Sequence, residues 1–333
     1  MQQRGTFIAS SACVLMQAVM SQPVLAATAN LNIEVAQYPG FDYGMPVAIA
    51  QHLGYMQREG IVLGEITGSN GGGTSIRNIS QGGLSLGLVA TSAAIKAILA
   101  GEDLKIIAGG VQTPGTCCWV VKKNSPIKSI HDFVGKRVGF TQPTSSSQAM
   151  ITLCLQAAGI DPASVQLIAA GGVGDNLVLL NGGGLDVAFT VDPTLSQHES
   201  EIRLIFYVRD YLPHYMQTVW VATPQFLREQ KDLVAGFLRA CAQAVDYIVG
   251  HPLQSAHIYA QLGGSDEHYL SLGLAHERPT AYFGKGELNI EGMKLAIDSM
   301  RLGKLIGPEK VDLPRICDQS TLPPSQRVAL KPI

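Results

Sequence analysis

The chain has 333 residues, enough for about two domains, and 46% of them are apolar, enough to build real cores. A net charge of −2 with only 15% charged residues leaves no basic stripe, and no nucleic-acid motif or low-complexity tract occurs, so the charge balance excludes a nucleic-acid partner. The 36 glycines sit mostly in loops after short apolar runs, which suits α/β units with tight strand-to-helix turns.

Residues 1–29 read as a signal peptide. Arg4 supplies the positive start, and Phe7–Met20 is an apolar stretch too short to span a membrane. Val24-Leu25-Ala26 and Ala27-Thr28-Ala29 are both small-x-small cleavage sites. Cleavage removes one charge, Arg4, and leaves a net charge of −3. Cys13 follows Ser10-Ser11-Ala12 without the usual aliphatic residue, and the apolar stretch continues past it, which argues against lipidation. The remaining Cys117, Cys118, Cys154, Cys241 and Cys317 are an odd, scattered set and make no disulfide framework. Adjacent Cys117 and Cys118 fit disulfide geometry poorly. Cys154 and Cys241 fall on apolar helix faces and read as core residues.

Leu31–Ala36 is the first expected strand, followed by the aromatic, turn-rich loop 37–44. Pro46 suits an early helical position in a helix that ends near Gly54. Strand Ile61–Ile66 leads into the glycine loop 68–74 and a helix carrying Ile76 and Ile79. Strand Leu84–Val89 runs to Thr91-Ser92, which start a helix closed by Gly101, and Leu104–Ala108 is a fourth strand. Strand, polar loop and helix repeat with short connections. That predicts a mostly parallel sheet with helices on both faces and a ligand at the carboxyl ends of the strands.

Gly109-Gly110 and Thr113-Pro114-Gly115-Thr116 form a linker-like stretch, read as a crossing into a second domain that opens with Cys117–Val121. A second α/β set follows: strand Lys136–Phe140, helix Ser145–Ala158, strand Val165–Ala169, loop 171–175 with a helix to about Leu180, then strands Leu185–Thr190 and Arg203–Val208. Residues 210–214 look like the return crossing, and Gln217–Val221 like a strand rejoining the first domain. From Pro224 onward the pattern is helical, and the proline-bearing end reads as extended and exposed. The expected division is lobe 1 from 30–112 plus 217–310, lobe 2 from 113–216 inserted in it, and a tail from 311–333, with two strands as the hinge.

The stretch from Thr141 to Ser147 is singular. Strand Lys136–Phe140 enters a loop with four consecutive hydroxyls, Thr144, Ser145, Ser146 and Ser147, just before a helix. One of them suffices to cap the helix. The others, with the free N–H groups and positive dipole end of the first turn, can grip an anionic oxygen without a Lys or Arg.

Three stretches carry a family resemblance. Gly54-Tyr55-Met56 with Glu59-Gly60-Ile61 closes an early helix, Gly101-Glu102-Asp103-Leu104-Lys105 forms a turn, and Ser125-Pro126-Ile127-Lys128-Ser129 precedes Asp132-Phe133-Val134-Gly135-Lys136-Arg137-Val138-Gly139. In these the chain, from about Leu31 to Leu305, resembles periplasmic substrate-binding proteins of ABC importers, in the group of alkanesulfonate, taurine, nitrate and thiamine-precursor pyrimidine binders. One departure is Ser85, which stands where relatives often have an acid. Another is Cys117-Cys118, which does not reproduce the cysteine-rich motif of the pyrimidine-synthase relatives.

The resemblance implies the two-lobed type II periplasmic-binding-protein fold, a monomer in the periplasm, and delivery of a small solute to a membrane permease with its ATPase. It implies no cofactor. The cleft would be lined by Tyr38, Phe41, Asn70, Gly72, Thr91 and Ser92 from lobe 1. Lobe 2 would add Gln142, Thr144, Ser145, Ser146 and Asp192. Two helix N-termini facing one cleft suit a sulfonate, carboxylate or nitrate. Asp192 either pairs with a ligand amine, favouring a zwitterion or an aminopyrimidine, or caps the helix that starts at Pro193. No nucleophile elbow, metal spacing, Walker or dinucleotide fingerprint occurs, so an exported enzyme of the pyrimidine-synthase group is the weaker reading and no metal is expected.

Overall fold

The computed structural model describes residues 29–81, 83–262, 266–277 and 279–333; the expected signal peptide, apart from Ala29, lies outside the described residues. Among the described residues, ten strands form the sheets: β1 (Ala29–Ala36), β2 (Ile61–Ser69), β3 (Leu86–Ala90), β4 (Lys105–Gly109), β5 (Cys118–Lys122), β6 (Arg137–Phe140), β7 (Gln166–Ala169), β8 (Ala188–Thr190), β9 (Ile202–Tyr207) and β10 (Thr218–Ala222).

The first lobe holds one sheet in the order β2-β1-β3-β10-β4. β1 pairs in parallel with β2 and β3, while β10 runs antiparallel between β3 and β4. The second lobe repeats that plan. β6 and β7 pair in parallel, β5 lies antiparallel between β8 and β9, and a parallel bridge from Val138 to Val187 joins the two pieces. The resulting order, β7-β6-β8-β5-β9, has one reversed strand, as in the first lobe. Both reversed strands have just arrived from the other lobe. A chain that enters through the hinge starts its strand at the cleft, where the other strands end, so it must run the opposite way.

Alternation builds β1, with Leu31, Ile33 and Val35 buried on one face. The helix Met45–His52 opens with Pro46 in its first turn, where no N–H is missed. The 20-residue helix Lys231–Gly250 lays Val234, Phe237, Cys241, Val245 and Ile248 into the core, and Phe237 meets Trp220 of β10 edge-on at 4.9 Å. In the second lobe Trp119 of β5 stacks on Phe206 at 5.6 Å and donates from Nε1 to the Gly139 carbonyl at 2.9 Å. All five described cysteines are buried and free.

The crossings run side by side. Gln217 N donates to Val111 O at 2.9 Å, and Val111 N donates to Thr218 Oγ1 at 2.8 Å. Chain end 311–333 departs from the extended, exposed course expected of it. A short helix, Leu313–Ile316, buries Leu313 and Ile316, and Cys317 bridges to Ile106 on the outer edge of β4. Val311 and Ile333 then exchange backbone bonds of 2.7 and 3.0 Å. The physical reason is the edge itself: β4 has unpaired backbone groups on one side, and the tail covers them. The prolines masked this, because they hide periodicity without preventing burial.

Candidate binding cleft

Four helices begin where the strands of the two lobes end. Helix Gly73–Ser80 follows β2 with Gly72 as its N-cap, and helix Thr91–Leu99 follows β3 directly after Ala90. Helix Ser146–Ala157 follows β6 with Ser145 as N-cap, and helix Val173–Asn181 follows β7 with Gly172 as N-cap. All four cap residues line the space between the lobes. An inner cavity of about 30 Å³ is walled by Phe41, Tyr43, Gly72, Ala90, Ser145 and Gln217, among others. An outer groove of about 360 Å³ is lined by Gln37, Tyr38, Phe41, Asn70, Gly172 and Thr194, among others. Among the described residues, no Lys, Arg, His, Asp or Glu lines either space. The electrostatics there come from backbone dipoles: each helix N-terminus carries about half a positive charge.

The lobes meet directly across this space. Ser92 Oγ donates to the Thr144 carbonyl at 2.7 Å, and Ser146 Oγ donates to the Gln217 carbonyl at 2.7 Å. Gly72, at φ +59°, approaches so closely that a Cβ there would stand 2.7 Å from the Pro143 carbonyl oxygen. One of the four loop hydroxyls, that of Ser146, is thus spent on closure, and Thr144 contributes its backbone carbonyl. Ser145 caps its own helix by accepting from Gln148 N at 3.2 Å, and Ser147 bonds Ser145 and Thr141, both at 2.9 Å. Thr144 takes a left-handed φ of +67°, held by a 2.7 Å bond from its N–H to Gln148 Oε1.

A buried acid orders the glycine loop of the first lobe. Glu34 of β1 is fully buried; Ser69 Oγ and Asn78 Nδ2 donate to it at 2.5 and 2.9 Å. Burial raises its pKa, against the pull of these donors. Ser69 Oγ also meets Ser75 Oγ at 2.7 Å and accepts from Gly71 N at 3.3 Å, so the acid reaches the helix start through one hydroxyl.

Of the residues expected in the cleft, Phe41, Gly72 and Ser145 line the inner cavity, and Tyr38, Phe41 and Asn70 line the outer groove. Tyr38 is half-buried and meets Tyr259 edge-on at 6.4 Å. Phe41 is buried and meets Tyr43 edge-on at 5.2 Å. Thr91, Ser92, Thr144 and Ser146 lie at the lobe contact, and the Gln142 side chain faces Gly72 across it. Asp192 stands elsewhere. Its carboxylate is covered; Oδ1 accepts from Ser196 N and Oγ at 3.1 and 2.6 Å, and Oδ2 lies 3.0 Å from His276 Nδ1.

Other lining residues went unread in the sequence: Gln37, Tyr43, Met150, Phe189, Gly172 and above all Gln217. Gln217 precedes β10 at the second crossing. Its Oε1 accepts from Tyr43 OH at 2.5 Å and from Cys117 Sγ at 3.4 Å, and its Nε2 donates to Thr113 O at 2.8 Å. It therefore ties the cavity to both crossing segments. Gly171-Gly172 could have been found, since it repeats the strand, glycine loop and helix grammar of Gly71-Gly72.

Two α/β lobes with matching strand orders, joined by paired crossings around a cleft of helix N-termini, define the periplasmic-binding-protein fold. The chain belongs to the NMT1/THI5-like family, whose model matches residues 43–255. The fold is similar to that of the periplasmic aliphatic sulphonate binding protein SsuA from Escherichia coli, with a TM-score of 0.71 and 20% identity over 91% of this chain and 96% of that one. The alkanesulfonate-binding protein SsuA from Xanthomonas axonopodis pv. citri, bound to MOPS, matches with a TM-score of 0.71 and 19% identity over 85% of this chain and 96% of that one. A Candida albicans protein described as exhibiting the generic periplasmic binding protein fold matches with a TM-score of 0.68 and 17% identity over 86% and 93%. No curated protein sequence matches the chain significantly.

Proposed function

We propose that the chain is the solute-binding component of an ABC importer. In this reading it captures a small anionic or zwitterionic organic solute, of the sulfonate, taurine or nitrate class, between its lobes in the periplasm. It then delivers the solute, as a monomer, to a membrane permease and its ATPase. The carrying observation is the convergence of four helix N-termini on a cleft where, among the described residues, no charged side chain lines the wall. Such a site attracts an anion through backbone N–H groups and dipoles, without a fixed cation that would hold it too tightly to release. Similarity in fold to two sulfonate-binding proteins supports the same class.

A second reading rests on the apolar floor. Phe41, Tyr43, Met150 and Phe189 offer packing to a flat ring or an alkyl chain, which favours a thiamine-precursor pyrimidine or an aromatic carboxylate. A thermal-shift screen of the mature chain with taurine, alkanesulfonates, nitrate, aromatic carboxylates and aminopyrimidines separates these classes. A saturable shift with taurine, alkanesulfonates or nitrate, by mass action on the folded state, is the expected result. A shift with aminopyrimidines or aromatic carboxylates alone supports the second reading, and no shift with any of the panel removes both.

A further inference from the structure

Among the described residues, none of the third stretch singled out in the sequence, Ser125–Ser129 with Asp132–Gly139, lines either space of the cleft. Part of it walls a different hollow, of about 360 Å³. Buried Ile127, Leu180 and Leu185 form an apolar floor there. Exposed Lys122 and Lys136 stand at the rim, with half-buried Arg137 and Asp186. β6 starts at Arg137 beside this hollow and ends at Phe140, next to the cleft loop 141–147. Lys122 ends β5, which starts at Cys118 beside the first crossing. The strands thus hold hollow and cleft at opposite ends of the second lobe, roughly 10 Å of strand apart.

The walls of the hollow are braced from within the lobe. Arg203 Nη2 donates to the carbonyls of Ser125 and Ile127 at 2.9 and 2.6 Å, which fixes the loop that follows β5. Arg137 donates to both Asp186 oxygens, from Nη2 at 2.7 Å and from Nε at 3.1 Å, and from Nη1 to the Gly183 carbonyl at 2.7 Å. Asp186 is the one acid in the lining among the described residues, and Arg137 cancels its charge. The lysines are left over. Lys122 Nζ donates to the Asn181 carbonyl at 2.9 Å, a bond that leaves its charge unbalanced. Lys136 makes no side-chain hydrogen bond or ion pair among the described residues. Ser125 Oγ accepts from Ile127 N at 3.3 Å and still has its own proton to give.

Two uncancelled cations and a hydroxyl donor thus surround an apolar floor. The volume falls at the lower end of small-molecule sites, which run from roughly 300 to 1,000 Å³. A bracing role accounts for Arg203, Arg137 and Asp186, which pair with each other or with carbonyls, but not for the lysines. We propose that this hollow is a second binding site, separate from the cleft, for a small free organic anion with a carboxylate or phosphate head and a short apolar body. The head lies between Lys122 and Lys136 and accepts from Ser125, and the body lies on Ile127, Leu180 and Leu185. The volume suits one short chain or ring, so the free anion, not a two-chain membrane lipid, is the occupant.

The test reads the floor itself, so this inference and the solute reading can fail separately. The mature chain, labelled at its Ile and Leu methyls, is titrated with octanoate, octyl phosphate and octanol at low salt and followed by NMR. The expected result is a saturable shift of the Ile127, Leu180 and Leu185 methyls with both anions. Octanol, which has the same body and no charge, should bind there at least about fivefold more weakly. Lys122→Gln combined with Lys136→Gln should weaken the anions about tenfold. Lys123→Gln should change nothing, since its Nζ donates to the Glu199 carbonyl and it does not line the hollow. If the double variant does not fold, wild type in about 0.5 M salt should show a similar loss through screening. Octanol binding that matches the anions, an unchanged affinity in the double variant, or no saturable shift at these methyls overturns the proposal. Phosphatidylglycerol vesicles that shift them where octyl phosphate does not would overturn the assignment to a free anion.

Discussion

Replacing Ser92 and Ser146 by Ala should unlatch the lobes, with unequal costs that the structure ranks. Both hydroxyls are buried and each donates at 2.7 Å to a carbonyl on the far side of the cleft. A neutral hydrogen bond contributes about 0.5–1.5 kcal/mol net, but stranding its buried partner costs about 1–3 kcal/mol. The Gln217 carbonyl also accepts from Thr91 N at 3.0 Å, so Ser146→Ala leaves it satisfied and falls in the lower range. Thr144 O has no second donor among the described bonds, so Ser92→Ala falls in the upper range. In an open molecule both carbonyls meet water, so the loss applies to the closed form alone. The double variant should therefore weaken closure by about 2–4 kcal/mol, or roughly 30- to 1,000-fold in apparent solute affinity. Calorimetric titration with the solute found by the thermal-shift screen measures the affinity, and small-angle scattering measures closure. An unchanged affinity and radius in the double variant would refute the latch, and a larger loss for Ser146→Ala than for Ser92→Ala would refute the ranking.

Gly72→Val should combine backbone strain of about 1–3 kcal/mol at φ +59° with a side chain driven against the Pro143 carbonyl, so scattering should show a cleft that no longer seats. Gly83→Ala is the control, since its φ is +77° but nothing lies within 4 Å; it should cost about 1–2 kcal/mol in unfolding and leave closure alone. Asp192→Ala should cost about 0.5–2 kcal/mol in thermal unfolding by removing the cap on Ser196, to the same extent with every solute tested. A loss confined to amine-bearing solutes would instead put Asp192 in the site. The Arg137–Asp186 pair, 2.7 Å apart and about a third exposed, should contribute no more than about 1 kcal/mol. The Arg137 hydrogen bond and charge hold the Asp186 carboxyl below its ordinary 3.8, so that contribution is present above 3.8 and fades as pH falls through the lowered pKa. Denaturant unfolding of Asp186→Asn should therefore differ from wild type at neutral pH and converge with it in strong acid; a gap that persists there would refute the assignment.

How far the sequence reaches follows from what kind of information each feature needs. The sheets were legible because a strand and its following helix are neighbours in the chain, and their apolar spacing is local. The expected crossings, Gly109–Thr116 and residues 210–214, rest on breaks in that local pattern. Contacts between lobes carry no such local mark. Ser92 and Ser146 look like helix caps in sequence, and they became closure contacts because Thr144 and Gln217 present carbonyls opposite them. Gln217 carries no motif at all, and it matters through Tyr43, Cys117, Thr113 and Val111, which lie from about 100 to about 170 residues away. Glu277 is the extreme case. On a helix surface it would read as a solvated acid, yet it is buried, and its Oε1 accepts from Thr116 Oγ1, 161 residues away in sequence, at 3.3 Å. The surplus hydroxyls of 144–147 mark a loop that lies against the other lobe. They left open which of them face a solute and which face the other lobe, because that choice is made by the partner surface. A two-lobed fold thus writes its scaffold locally and its closure non-locally, and the residues that tie cavity to hinge are those for which three-dimensional evidence is indispensable.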